Sequence, residues 1–378
     1  MNDQIDFLKR LIRAESPSGH EKKVADLVEK KLSELGYDKV TRDEYGNVLG
    51  TIGSGSPRIM LEGHMDNVEA GSRENWKMDP FCGESIDGKI YGRGSVDMKG
   101  PLSSMIYGAS KAKEELSKGR GTVQMACVVH EETIEGAAIE KLIEKNTAPD
   151  LVILGEPSGL DICTGHRGRA VLDVSVFGQT SHASMPDLGE NAALGMIDLI
   201  NSQRKKALPA DPELGKETMA LINIACQPGE GPVIPDRAEA KLDFRIGRST
   251  SEEDVIEFVK DEMDRLSLSG KVEIPTDTLS CYTGEELTSS NYFPAWYLDE
   301  EKLLNQVKSS LKHLSDCKVR TWNFSTDGVY TAGKAGIPTL GFGPGNEELA
   351  HQPNENIEID ELKTATECYL DLIKDLIK

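Results

Sequence analysis

The sequence predicts an α/β protein: a mostly parallel-stranded sheet sandwiched by helices, carrying an inserted α+β domain. Three observations lead there. Up to about residue 163, helix-like segments alternate with strand-like segments that are continuous apolar runs, as in sheets covered on both faces. Near residue 164 the strands change and begin to alternate polar with apolar residues. From about residue 300 the earlier pattern returns. We therefore expect residues 1–163 plus 293–378 to form one domain and 164–292 to form an inserted lid.

The elements follow in order. MNDQIDFLKRLIRAES has the spacing of an amphipathic helix, and HEKKVADLVEKKLSELG that of a second, ended by Gly36. NVLGTI and RIMLEG are short strands. KGPLSSMIYGASKAKEEL is a helix, GTVQMACVVH a buried strand, GAAIEKLIEKN a helix and DLVILG another apolar strand. In the insertion, RAVLDVSVFG reads as a half-exposed strand and ENAALGMIDLINSQRKK as a helix. TMALINIACQ and RAEAKLDFRIG are strand-like, and SEEDVIEFVKDEMDRL is helical. DEEKLLNQVKSSLKHL, KVRTW, GIPTLGFG and the helix DELKTATECYLDLIKDLIK complete the pattern.

Composition narrows the function. With 43 basic and 64 acidic residues the formal net charge is -21, which argues against nucleic acid or an anionic membrane as the main partner. The N-terminal segment lacks the apolar core and cleavage site of a signal peptide, and no apolar run is long enough to span a bilayer. Seven cysteines are scattered without a CxxC spacing, which suits reduced thiols in a cytoplasmic protein.

Polar residues gather at the ends of the apolar strands. RIMLEGHMD delivers His64 and Asp66, two apart and so on one side of an extended segment, where His64 can bind a metal beside a supporting carboxylate. The plain alternative is a polar turn. YGRGSVDMKGP places Asp97 between a strand and a helix, where it could also be a helix cap. VVHEETIEG ends a buried strand on the adjacent Glu131 and Glu132. Such a pair could form the acidic first turn of a helix. It could equally split two tasks, one carboxylate binding metal and the other moving a proton. ILGEPS puts Glu156 at another strand end, and FGPGNEELAHQPNE puts His351 in a Gly- and Pro-rich loop. Loops after strand ends are where open α/β sheets build sites. Two histidines with several carboxylates suit a pair of divalent cations.

HMD, GSVDMKG, HEE, GEPS and AHQPNE, in this order and over nearly the whole chain, resemble the M20 metallopeptidase family. That family includes acetylornithine deacetylase, succinyl-diaminopimelate desuccinylase, aminoacylase-1 and glutamate carboxypeptidase. The resemblance implies a zinc-peptidase-like catalytic domain and a lid that makes a homodimer. His64, Asp97 and Glu156 would hold one ion; Asp97, Glu132 and His351 would hold the other, with Asp97 bridging. Glu131 would be the general base and then acid, and Asp66 would support His64. Three carboxylates and two neutral histidines offset three of four positive charges, so one bridging hydroxide brings the centre near neutrality. Zinc is the first expectation; cobalt and manganese suit the same ligands.

The lid carries further matches. VFGQTSHASMPDLGENA resembles the family's dimerisation domain, in which His182 would reach a partner subunit's site and stabilise the oxyanion; otherwise it is a surface histidine of the lid. KLDFRIG matches a D-x-R strand: Arg245 either pairs with Asp243 or grips a substrate carboxylate. GFGPG, with Gly343 and Gly345, resembles a loop lining the substrate pocket, or is a tight strand-exit turn. Pro232 in GEGPVIPD stands where many relatives carry Asn, which removes that substrate contact. HRGRAVLDV, FPAWYLDEEKL and NFSTDGVY are more similar to the selenium-metabolism-linked hydrolase branch, for which carbamoyl or ureido amino acids are the implied substrates. In the family this chain resembles, a glutamate at the place of Glu156 goes with deacylases and carboxypeptidases and an aspartate with aminopeptidases, so the resemblance implies action away from aminopeptidases. The expectation is thus an amidohydrolase acting on an N-acyl, N-carbamoyl or peptide bond in a small carboxylate-bearing amino-acid derivative. A non-catalytic metal-binding or ligand-sensing protein on the same fold is the alternative, disfavoured because Glu131 and Asp66 are both present.

Overall fold

The computed structural model describes residues 2–378. The chain divides into two compact units: Met1–Gly165 with Thr278–Thr288 and Leu298–Lys378, and His166–Asp277 with Ser289–Tyr297. The strands that matter below are, in chain order, β1 (Lys39–Arg42), β2 (Val48–Ser54), β3 (Arg58–His64), β4 (Gly121–Val128), β5 (Leu151–Leu154) and β6 (Ile162–His166). They continue as β7 (Gly168–Phe177), β8 (Thr218–Gln227), β9 (Arg237–Ile246), β10 (Ser269–Glu273), β11 (Val319–Trp322) and β12 (Thr339–Gly341). The corresponding helices are α1 (Asn2–Arg13), α2 (Lys22–Glu34), α3 (Lys99–Lys111), α4 (Ala137–Lys145), α5 (Ala192–Gln203), α6 (Glu252–Arg265), α7 (Glu301–Ser310) and α8 (Ile359–Leu376).

The sheet of the first unit runs β1-β2-β4-β3-β5-β12-β6, with β11 also paired to β6. The four central strands β4, β3, β5 and β12 are parallel. Both flanks are antiparallel, at β1–β2, β2–β4 and β12–β6. The sheet is therefore mixed. The expected parallel pairing holds at its centre, where helices carry the crossovers. At the β1–β2 flank the turn Asp43–Asn47 is short enough only for a hairpin.

All of β4 and β5 is buried, as continuous apolar strands require. One face of the sheet lies against α2 and α3. Gly63 of β3 gives room there to two methionines: a Cβ would stand 2.4 Å from Met98 Cε and 2.9 Å from Met105 Cε, so those side chains would have to shift. The opposite face carries Glu62 beside Asp327, and α4 packs on that side with the helical turn Val329–Lys334.

The second unit is built on a five-stranded antiparallel sheet, order β8-β9-β7-β10, with the short strand Tyr292–Phe293 also paired to β7. Its core forms from alternate residues of β7 and β9, among them Leu172, Val174, Leu242 and Phe244, with Met196 and Leu199 of α5 and Val255 and Val259 of α6. Edge strand β8 exposes Leu221, Ile222 and Ile224 by 41%, 52% and 46%. Among the described residues no helix is long and apolar enough to cross a membrane.

Candidate metal centre

His64 closes β3, with its ring almost fully buried. Its Nδ1 lies 3.0 Å from the backbone oxygen of Asp66. That oxygen can only accept, so Nδ1 carries a proton, and Nε2 is the nitrogen turned toward the acids. Around Nε2 stand Asp97 Oδ1 at 3.0 Å, Glu156 Oε1 at 3.7 Å and Glu131 Oε2 at 4.0 Å. The other Asp97 oxygen lies 3.1 Å from His351 Nε2, which is also 3.0 Å from Glu132 Oε2. Asp97 thus faces one histidine with each oxygen. Two groups have ligand atoms all within 4.8 Å of one another: His64, Glu131 and Glu156, and His64, Asp97 and Glu132.

The structural alternatives for these acids fail. The residue capping α3 is Met98, with no side-chain cap, so Asp97 is free to face the cluster. Helix α4 starts at Ala137 with Gly136 as its cap, so Glu131 and Glu132 lie ahead of its first turn. The two neighbours diverge. Glu132 meets His351, and Glu131 points toward His64 and Glu156.

Asp66 organises this turn. Its Oδ1 accepts the Glu131 N–H at 3.3 Å and its Oδ2 accepts the Glu132 N–H at 3.2 Å, while Ser18 Oγ donates to Oδ2 at 2.7 Å. Its carboxylate also lies 3.4 Å from His64 Nδ1.

Burial sets the electrostatics. It pushes the carboxyls of Glu131 and Glu156 well above their ordinary range, and raises Glu132, which the charge of Asp97 raises further. Burial also works to raise Asp97, but hydrogen bonds from His351 and His64 outweigh it and hold that carboxyl low. His351 is pushed up to about 10 by its hydrogen bonds to Asp97 and Glu132. These acids repel one another out of water and are balanced only by two imidazoles. Divalent cations relieve that repulsion, and the N/O donor set matches their chemistry. The residues present therefore fit a pair of such ions.

Gly343 and Gly345 lie in the same unit. A Cβ at Gly343 would stand 2.4 Å from the carbonyl oxygens of both Gly155 and Glu156, so this glycine lets the loop approach the Glu156 strand end. Gly345 has φ 105° and donates its N–H to Glu361. His182 and Arg245 belong to the second unit. His182 is exposed and its Nδ1 accepts from Ser184 Oγ at 2.8 Å. Arg245 Nε donates to Asp243 at 3.0 Å, and Arg169 Nε donates to the other Asp243 oxygen at 2.7 Å.

Two pairs escaped the sequence reading. Arg93 and Glu355 form a buried ion pair at 2.6 Å between the loops of Asp97 and His351. Glu62 shares a hydrogen bond with buried Asp327, whose charge helps raise the carboxyls of Glu156 and Glu131. Arg93 and Glu355 both sit inside motifs quoted for their neighbours, but spacing gives no sign that they meet.

Comparison with known proteins agrees with this centre. Residues 60–375 match the model of "Peptidase family M20/M25/M40". "Uncharacterized protein YgeY" of Escherichia coli (strain K12) is 30% identical over 374 residues, covering 97% of this chain and 93% of its own. A succinyl-diaminopimelate desuccinylase of Orientia tsutsugamushi (strain Ikeda) is 27% identical over 381 residues, covering 97% and 94%. The M20 family metallo-carboxypeptidase Sso-CP2 of Sulfolobus solfataricus has the same fold, with TM-score 0.76 and 18% identity over 100% of both chains. So does the Bacillus subtilis YXEP protein, described as a dinuclear metal binding peptidase, with TM-score 0.72 and 14% identity over 99% and 97%. With a family match across most of its length and these motifs converging at one centre, the chain belongs to peptidase family M20/M25/M40.

Proposed function

We propose that the protein hydrolyses an N-acyl, N-carbamoyl or peptide bond in a small carboxylate-bearing amino-acid derivative, with Glu131 moving the proton. As a family member it is a metal-dependent amidohydrolase. The observation that carries the reading is the Asp97 carboxylate, shared between His64 and His351, with Glu131 and Glu132 diverging beside it. In this reading His64, Asp97 and Glu156 hold one ion, and Asp97, Glu132 and His351 hold the other. When bound, such ions polarise the scissile carbonyl and lower the pKa of water to about 7.

Glu131 is buried and raised, the condition for a group that first takes and then returns a proton. It takes the proton from the attacking water and gives it to the leaving nitrogen. Asp66 fixes its backbone during both transfers. Zinc leads among the ions, ahead of cobalt and manganese. Arg245 is the candidate to hold the substrate carboxylate and His182 the candidate oxyanion donor from a partner subunit. The exposed apolar residues of edge strand β8 support a homodimer formed through the second unit. Seven free cysteines support a reducing, cytoplasmic setting.

The test is product release from N-acetyl, N-succinyl and N-carbamoyl amino acids and from dipeptides, with added metal and with chelator. Mass spectrometry of the freed amine reads it. Chelator-sensitive release from one class supports the reading and names the bond. Saturable binding of panel members without release favours the ligand-sensing alternative.

A further inference from the structure

We propose that Arg93 and Glu355 act as a positioning clamp that fixes His351 against Asp97 and so determines whether the second ion is held. The inference rests on the two-ion reading above. His64 needs no such device, because it ends a strand paired on both sides within the sheet. His351 sits in a loop, its side chain is 49% exposed, and its backbone is left-handed with φ 62°. No sheet or helix fixes a ligand in that position.

The clamp supplies the missing constraint. Glu355 is fully buried, and each of its oxygens takes two donors. Oε2 accepts from Arg93 Nη1 at 2.6 Å and from the Gly94 N–H at 3.1 Å. Oε1 accepts from the N–H groups of Val96 at 2.7 Å and Asp97 at 3.1 Å. One carboxylate thereby shapes the loop that delivers Asp97. Arg93, 2% exposed, reaches the other way: Nη2 donates to the carbonyl of His351 at 3.1 Å, and Nη1 approaches that of Gln352 at 3.4 Å. Its guanidinium stacks on Trp76 at 5.3 Å from the ring centroid. The pair therefore ties the backbones of two candidate ligands together. The planar fork of arginine is suited to this, since lysine cannot reach a carboxylate and two carbonyls in one plane.

The experiment is calorimetric titration of the metal-free protein with cobalt(II), with the visible absorption of each bound ion recorded. The unaltered protein, Glu355→Gln and Arg93→Lys are compared, with circular dichroism confirming the fold. The expected result is that Arg93→Lys leaves one ion bound as in the unaltered protein and weakens the other about 10–100-fold, with loss of its absorption band, while Glu355→Gln, which also bears on Asp97, weakens at least that second ion. Two ions bound with unaltered affinity in both variants, or both ions weakened equally in Arg93→Lys, overturns the clamp. An unaltered protein that takes up fewer than two ions overturns the two-ion reading itself. Where Glu355→Gln does not fold, Arg93→Lys, which keeps the charge opposite Glu355, decides the question.

Discussion

The Asp66 carboxylate accepts the backbone N–H of Glu132 at 3.2 Å, and its second oxygen accepts that of Glu131. A residue expected to support a histidine therefore also shapes the turn carrying the paired glutamates. Asp66→Asn places an NH2 group where an acceptor is required. We expect a fall in kcat and in metal affinity of about 10–100-fold, read by steady-state kinetics and metal titration. Unchanged values for both would remove Asp66 from the centre.

Glu131→Gln keeps the shape and hydrogen-bonding reach of the side chain but cannot carry the proton. Turnover should fall about 10²–10⁴-fold while metal content stays the same, measured by kinetics and elemental analysis of one preparation. A variant that loses an ion instead would make Glu131 a ligand, as its place in the group with His64 and Glu156 allows.

The metal-free protein should lose stability as pH rises. His351 is raised from an ordinary 6.5 to about 10 by Asp97 and Glu132, so its contribution is complete below about 6.5 and disappears as pH climbs through about 10. Buried Glu131, Glu132 and Glu156, also raised, act in the same direction because they must ionise in the folded state. Thermal unfolding with chelator across this range should show a falling Tm, and saturating metal should flatten the slope. A Tm that rises with pH in chelator would contradict these shifts.

Gly343→Ala forces a methyl group against two backbone carbonyls that cannot rotate aside. We expect a loss of about 1–3 kcal/mol in urea unfolding. Activity should also decline, because one of those carbonyls belongs to Glu156. A stability within error of the unaltered protein would show that the loop yields freely.

Ile222→Asp with Ile224→Asp charges the exposed edge of β8. Light scattering should show a dimer for the unaltered chain and a monomer for the double variant, with unchanged circular dichroism. An unaltered chain that is monomeric and fully active would end the partner-subunit role of His182.

What was legible in the sequence is what repeats locally. The buried run of β4 and the amphipathic spacing of α2 emerge because burial periodicity is written residue by residue. Strand-end acids and histidines were legible because polar residues closing apolar runs are rarely idle. The antiparallel flanks were not, since pairing direction depends on which strand lies beside which. Nor was the Arg93–Glu355 pair, whose members lie 262 positions apart. Glu62 carries no signal of its own within RIMLEG, and only the folded chain shows it beside Asp327.

Strand β12 lies between β5 and β6, yet it is made only after β6 and the whole second unit. During synthesis the sheet must therefore wait with a gap at its centre, its strand edges open to wrong partners. His351 lies further along still, so the candidate ligand set is complete only after β12 has been made. A ribosome-bound chain can expose His64, Asp97 and Glu156 long before it has His351. On the two-ion reading, the ligands of the first ion would thus be made well before those of the second are complete.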